Sequence, residues 1–187
     1  VTGGAGFIGS HTVDALLKQG HDVRILDNLS KPSHGKGKPA YIPADIEFVE
    51  GDIRNKTILY NALKGIDRVF HFAVCQDYLP DFSAYFSVNC VGTALLYELI
   101  AEHALPIQKI VLASSLAVAG EGLYRTEGGE LFTPSCRSEQ QLQQGEWDIR
   151  DAQGRPAQWL RTPETVRNPQ TPYALSASCE EEIALQF

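Results

Sequence analysis

The chain has 187 residues, enough for one domain with a real core. Its 23 acidic against 16 basic side chains give a formal net charge of −7, and the absence of a basic run argues against a nucleic-acid surface. Hydrophobic content of 43% and charged content of 21% suit a soluble globular protein, and no apolar run is expected to approach the ~20 residues of a membrane span.

The four cysteines, Cys75, Cys90, Cys136 and Cys179, stand singly, with no pair at metal-ligand spacing. They read as reduced thiols of a cytoplasmic protein, and no metal is expected. No secretory signal is visible. The sequence has no methionine and its glycine turn begins at residue 3, so it reads as a fragment truncated at both ends. Val1 and Thr2 are then the stub of a strand that needs ~5 residues, and Phe187 closes an unfinished helix.

Val1 to Gly9, VTGGAGFIG, reads as a strand end, a glycine turn and the first turn of a helix. Gly3, Gly6 and Gly9 are evenly spaced, and Gly4, Gly6 and Gly9 satisfy G-x-G-x-x-G. Such glycines make a tight turn, let the backbone approach a pyrophosphate and let helix and strand pack closely. The start of the following helix offers free N–H groups and a positive dipole end to phosphates. Val13, Leu16 and Leu17 then mark one helical face, and Gly20 a stop. HDVRILD is a strand ending in Asp27, whose carboxylate is placed to accept both ribose hydroxyls of an adenosine and to repel a 2′-phosphate. That favours NAD over NADP, although Arg24 and Lys31 leave some room for NADP. The competing reading is that Asp27 merely begins a turn with Asn28.

Residues 28–44 read as a surface loop. IEFVEGDIRN is a strand that brings Asp52 to its carboxyl end, where it could bond an adenine amino group while Ile53 packs on the ring. Asp52 could equally cap the helix through Leu59, Ala62 and Leu63. DRVFHFA is the next strand, and its His71 reads as a packed core residue before it reads as an acid or base. Residues 83–103 form a long helix; Asn89 is expected to bond a neighbouring backbone and Gly92 to allow close packing on the sheet. QKIVLASS is a further strand, delivering Ser114 and Ser115 to the same edge. Residues 121 to about 171 have weak periodicity and read as an insertion near substrate. Its Arg125, Arg137 and Arg161 read either as phosphate contacts or as solvated surface. Pro172 opens the last helix. The alternation predicts a doubly wound parallel α/β sheet with helices on both faces.

TGGAGFIG, Asp27, GDI at 51–53, HFA at 71–73, NCVGT at 89–93, SSLAVAG at 114–120 and PYALS at 172–176 occur in the order that resembles an extended short-chain dehydrogenase/reductase of the nucleotide-sugar epimerase and dehydratase group. The insertion, with GEGLYR and RSEQQL, is similar to dTDP-L-rhamnose 4-epimerase-like members. The resemblance implies an NAD-binding Rossmann domain over residues 1–187, a substrate domain absent from this chain, a homodimer, and a nucleotide-sugar substrate. Gly3, Gly6, Phe7, Ile8 and Gly9 match the pyrophosphate turn, Asp27 and Asn28 the ribose end, and Asp52 and Ile53 the adenine site. Phe72 and Ala73 match the wall near the cofactor and Asn89 the asparagine of the family motif, and Ser114 is expected among the cofactor-binding residues. Ser115 matches the serine that bonds the reacting hydroxyl, and Tyr173 the base that removes its proton while hydride passes to NAD.

Two positions depart from the family pattern. Ala177 stands where the family has lysine, four residues after the tyrosine on one helical face. An ordinary phenol, with a pKa of ~10, is about one part in a thousand ionised at pH 7, and a lysine cation favours the phenolate. Ala119 stands where the family usually has tyrosine. Two further readings follow: a non-catalytic NAD-binding protein, and a sugar-nucleotide dehydratase or decarboxylase.

Overall fold

In the computed structural model, which describes every residue except Pro32, Lys36 and Tyr78, two pairs of parallel strands flank the amino-terminal residues. Strand β1 (Arg24–Asp27) pairs with β2 (Glu47–Glu50), and β3 (Arg68–His71) pairs with β4 (Lys109–Leu112). Thr2 bridges in parallel to Leu26 on one side and to His71 on the other. The Thr2 N–H donates to Phe70 at 2.9 Å and the Gly3 N–H to Leu26 at 2.8 Å. The lateral order is therefore β2, β1, Thr2, β3, β4, and it reverses at Thr2. Open α/β sheets bind ligands beyond the carboxyl edge at such a reversal. The expected doubly wound parallel sheet is present.

Strand alternation explains why helices cover both faces. In β1, Ile25 packs with Ala5, Val13 and Ile42, the side of helix α1 (Phe7–Lys18). Its neighbour Leu26 packs on the opposite side with Leu59 and Leu63 of α2 (Lys56–Leu63) and Leu96 and Leu99 of α4 (Thr93–Glu102). Leu59, Leu96 and Leu99 are buried. Truncating any of them to alanine is expected to cost about 2–5 kcal/mol. Helix α1 ends at Lys18 with Gln19 as its C-cap, and Gly20 follows with a φ of +80° that side chains avoid.

Local chemistry differs from the sequence reading at four places. The cap of α2 is Asn55, whose Oδ1 accepts the N–H groups of Thr57 and Ile58, both at 3.1 Å; Asp52 is not the cap. The close approach at Gly92 is to the Ile53 side chain, just beyond β2, which a Cβ there would strike. The long helix is α3 (Phe82–Tyr85), a π-helical segment (Phe86–Gly92) and α4 in succession. A π turn inserts a residue without changing composition, so apolar spacing does not reveal it. The whole stretch Phe82–Glu102 has 21 residues and is long and apolar enough to cross a membrane by length and composition, contrary to expectation. Its Asn89, Thr93, Leu96 and Leu99 are nevertheless buried inside the protein, as in a core helix.

The chain divides into two compact units, one of residues 1–113 with 179–187 and the other of residues 114–178. The second unit holds a three-stranded antiparallel sheet of β5 (Tyr124–Arg125), β6 (Leu131–Phe132) and β7 (Gln158–Trp159), in the order β6, β5, β7. It also contains α5 (Glu139–Gln143) and the first part of α6 (Pro172–Gln186). Two-residue strands are too short to show alternation, which is why this unit reads as irregular in sequence. Arg137 donates to Glu121 at 2.7 Å and to the Trp147 carbonyl at 2.6 Å, so it braces the insertion itself. The loop read at 28–44 includes Pro32 and Lys36, which lie outside the described residues.

Candidate dinucleotide site

The edge of the first unit is built from the glycine turn outward. Gly3 has a φ of +64°, and a Cβ there would lie 2.7 Å from the Phe72 carbonyl and 2.8 Å from the Ala73 nitrogen. A Cβ at Gly9 would strike the Gly3 oxygen. Those two glycines are required by the chain's own backbone. Gly6 differs: a Cβ there would meet only the Gly3 oxygen, at 3.3 Å, on the protein side. It is also the N-cap of α1 and supplies no side-chain capping bond, so the first N–H groups of the helix are uncapped by it. Phe7 and Ile8 in this first turn are exposed, at 81% and 60%.

Asp27, at the carboxyl end of β1, is buried. Its Oδ2 accepts the Ala5 N–H at 2.9 Å and its Oδ1 accepts the Leu29 N–H at 2.9 Å. The Asp27–Asn28 turn therefore does form, and the same carboxylate braces the glycine turn. Two neighbours went unnoticed in the sequence. His34 Nε2 lies 3.9 Å from Asp27 Oδ1, and the Tyr41 hydroxyl donates to the Ala5 carbonyl at 2.6 Å. Both reach back from the loop, and no local pattern signals them. Arg24 is turned to other work at the opposite end of β1. It donates to the Ala62 and Lys64 carbonyls at 2.8 and 2.7 Å and pairs with Glu47 at 2.6 Å.

Asp52 sits beyond β2. It accepts the Arg54 N–H at 2.8 Å, the Arg54 guanidinium at 2.9 and 2.7 Å, and the Asn28 amide at 3.2 Å. The Arg54 side chain is the main reason its pKa falls to about 2; burial opposes that, and the Arg54 N–H and Asn28 support it. Ile53 next to it is buried in the core. Asn28 and Asp52, singled out separately in the sequence, are thus directly bonded.

Phe72 and Ala73 follow β3. Both of their N–H groups donate to the Thr2 hydroxyl at 3.2 Å. Asn89, fully buried in the π-helical segment, accepts the Cys75 N–H at 2.7 Å and donates to the Cys75 carbonyl at 3.1 Å. It clamps the loop beyond β3, as expected of a residue bonding a neighbouring backbone. His71 is a packed core residue: its Nδ1 lies 2.8 Å from the Thr2 hydroxyl and its Nε2 lies 3.1 Å from the Thr93 hydroxyl. Burial pushes its pKa down to about 4.

The second unit holds the remaining candidates. Ser115 is half-buried and caps the short 3-10 turn Leu116–Ala119, its Oγ accepting the Ala117 N–H at 3.2 Å. Ser114 is exposed. Tyr173 stands in the first turn of α6, half-buried, and its carbonyl accepts the Ser176 hydroxyl at 2.8 Å. Ala177, one turn later, is buried.

A glycine turn at the switch point of a parallel sheet, an acid at the tip of the next strand and a helix opening on the turn define a dinucleotide-binding Rossmann unit. Residues 1–142 match the NAD dependent epimerase/dehydratase family, and the chain belongs to that family. It is 40% identical over 126 residues to the UDP-glucose 4-epimerase of Halalkalibacterium halodurans, covering 65% of this chain and 35% of that protein. It is 28% identical over 189 residues to the dTDP-L-rhamnose 4-epimerase of Burkholderia thailandensis, covering 98% of this chain and 51% of that protein. Among solved structures, the Thermus thermophilus UDP-glucose 4-epimerase in complex with NAD superposes with a TM-score of 0.64 at 28% identity, covering 99% of this chain and 49% of that one. The chain thus spans about half, or less, of the length of these relatives.

Proposed function

We propose that this protein binds NAD along the glycine turn and, in its complete form, epimerises a nucleotide-diphosphate sugar. The observation that carries the reading is Gly6. A Cβ there would crowd one atom, the Gly3 oxygen at 3.3 Å, far less than at Gly3 or Gly9, and the residue that caps α1 carries no capping group. That suits a ligand whose phosphates come close to the backbone and take the place of a cap. Phe7, Ile8 and Gly9, in the first turn of α1, hold the pyrophosphate through backbone N–H groups, and Gly3 and Gly6 shape the turn that lets it approach, their own N–H groups being donated to the Leu26 and Gly3 carbonyls. Asp27 accepts the adenosine ribose hydroxyls with the lone pairs that Ala5 and Leu29 leave open, with Asn28 beside it. Asp52 and Ile53 take the adenine end. Phe72 and Ala73 form the wall near the nicotinamide, and the buried Asn89 holds the loop beyond them through Cys75.

When bound, NAD supplies a hydride acceptor and donor. Ser115 donates or accepts at the reacting sugar hydroxyl, and Tyr173, in its ionised form, takes that hydroxyl's proton on the phenolate oxygen. Position 177, one turn after Tyr173 and lysine in the family pattern, carries no charge, so one source of phenolate stabilisation is missing there. This favours a second reading, an NAD-binding protein with little or no turnover. Homodimeric assembly and a cytoplasmic location complete the proposal, and the four free thiols suit a reducing compartment.

The test uses protein expressed from its full reading frame, wild type and Ala177→Lys. Both are expected to retain NAD, read from the released cofactor. Ala177→Lys is expected to turn over UDP- or dTDP-hexoses at least about tenfold faster, a barrier change of about 1.4 kcal/mol. If both hold NAD and neither converts any such sugar, the enzyme reading is lost and the binding protein remains.

A further inference from the structure

Four buried side chains join into one line through the first unit. Thr2, His71, Thr93 and Glu180 are each no more than 4% exposed. Thr2 Oγ1 is 2.8 Å from His71 Nδ1, His71 Nε2 is 3.1 Å from Thr93 Oγ1, and Thr93 donates to Glu180 Oε1 at 3.3 Å. The direction of each bond follows from the chemistry of its ends. Thr2 accepts the N–H groups of Phe72 and Ala73, which use both its lone pairs, so its one proton goes to His71 Nδ1. His71 then carries its own proton on Nε2 and donates it to Thr93. The Thr93 proton is left for Glu180. The line runs one way, from the backbone of residues 72 and 73 to a carboxyl group, and only an acceptor can end it.

We propose that Glu180 is a positioning residue for the dinucleotide site, acting through Thr93 and His71 to hold the Thr2 hydroxyl and, with it, the Phe72–Ala73 backbone against the glycine turn. The contact that this backbone must keep is close, since a Cβ on Gly3 would already overlap Phe72 and Ala73. Loss of the terminal acceptor leaves the Thr93 proton without its partner. His71 is then free to take the other tautomer, which puts a proton on Nδ1 facing the Thr2 proton. Thr2 must then turn away; the Ala73 N–H loses this acceptor, while the Phe72 N–H keeps only the Thr2 carbonyl, at 3.1 Å. Polar groups buried at these sites have no water to replace a lost partner, so the defect travels along the line.

Charge at Glu180 feeds the same line. The groups facing it are Glu181 and Cys179 on its own helix, Cys90 of the π-helical segment, and Thr93 of α4 with His71 behind it. Burial, with Glu181 adding, lifts the Glu180 carboxyl to about 8, while the Thr93 bond opposes this. The Cys90 thiol is pushed up to about 12, chiefly by burial, and stays protonated throughout. Glu180 is thus the group of the line that changes charge near neutral pH.

This inference rests on NAD lying at the glycine turn, and its test separates the two. NAD affinity is measured for wild type, Glu180→Gln, Glu180→Leu, Thr93→Val and Thr93→Ser from pH 6.5 to 9, with folding checked by circular dichroism. The His71 ring nitrogens are followed by 15N resonance. Wild type is expected to show the Nε2–H tautomer. Glu180→Leu and Thr93→Val are expected to lose it and to bind NAD at least about tenfold more weakly, equivalent to about 1.4 kcal/mol. Thr93→Ser and Glu180→Gln keep the line and are expected to restore binding. The ratio of wild-type to Glu180→Gln affinity is expected to change with pH, because only one of them ionises. Wild-type affinity and tautomer in folded Thr93→Val and Glu180→Leu overturn the inference. A wild-type protein that takes no NAD overturns the cofactor reading instead, and with it the positioning role, even where the His71 spectrum shows the line intact.

Discussion

Asp27 accepts the backbone N–H of Ala5 at 2.9 Å, so the acid assigned to the ribose also props the glycine turn assigned to the pyrophosphate. One carboxylate holds two parts of the same proposed site. Its other oxygen fixes Leu29, which carries a φ of +49°. The sequence offers a turn and a ribose contact as rivals; the geometry makes the turn part of what orients the carboxylate.

Asp27→Ala is expected to weaken NAD binding at least about tenfold, or 1.4 kcal/mol, because it removes both the ribose acceptor and the prop. Asp27→Asn retains an acceptor for Ala5 and is expected to lose less. Isothermal titration of both variants checks this. Equal NAD affinity in wild type and Asp27→Ala removes Asp27 from the site.

The glycines separate fold from binding. Gly9→Ala places a Cβ on the Gly3 oxygen and is expected to destabilise the protein by about 2–4 kcal/mol, the range of severe packing and strain defects. Gly6→Ala meets only one atom, at 3.3 Å, and is expected to leave stability within about 1 kcal/mol while sharply weakening NAD binding. Thermal unfolding with and without NAD distinguishes them. A Gly6→Ala protein that binds as wild type does would show that nothing approaches the backbone there.

Asn89 is expected to be worth more to the loop beyond β3 than its single position suggests. Asn89→Ala leaves the Cys75 N–H and carbonyl without their partner and is expected to cost about 2–3 kcal/mol. Asn89→Leu, similar in size but unable to bond, is expected to be no better. Chemical denaturation measures the loss; a change below about 0.5 kcal/mol would mean that water replaces the clamp.

Stability should depend on pH through buried groups that oppose one another. His71 has its folded pKa near 4 against an ordinary 6.5, so between those values the unfolded chain alone holds the proton and stability rises with pH. Glu180 acts in the other direction. Its pKa goes from 4.5 to about 8, so the folded chain alone holds that proton and stability falls as pH rises through this window. The wild-type profile is therefore flattened. Glu180→Gln removes the falling component, and its stability relative to wild type is expected to grow with pH across that window, by at most ~1.4 kcal/mol per pH unit. Melting temperatures of the two proteins at several pH values check this; a constant difference would show that Glu180 ionises alike in both states.

The sequence by itself carried the architecture and the family. Glycine spacing, an acid at a strand end and alternating apolar patterns are local properties, and they survive any error in placing one element against another. It also marked Asn89 and a buried His71 correctly. What it could not carry were partners distant along the chain. The cap at Asn55 in place of Asp52 depended on where α2 begins. The π turn left the apolar pattern unchanged. Arg24, Arg137, Tyr41 and Glu180 owe their roles to groups brought near only by folding. Glu180 shows this most plainly: in the sequence it is one of three consecutive acids on a terminal helix, ordinarily a solvated run. Packing of that helix buried one of the three beside Thr93, where leaving water makes its charge costly and its hydrogen bond matter.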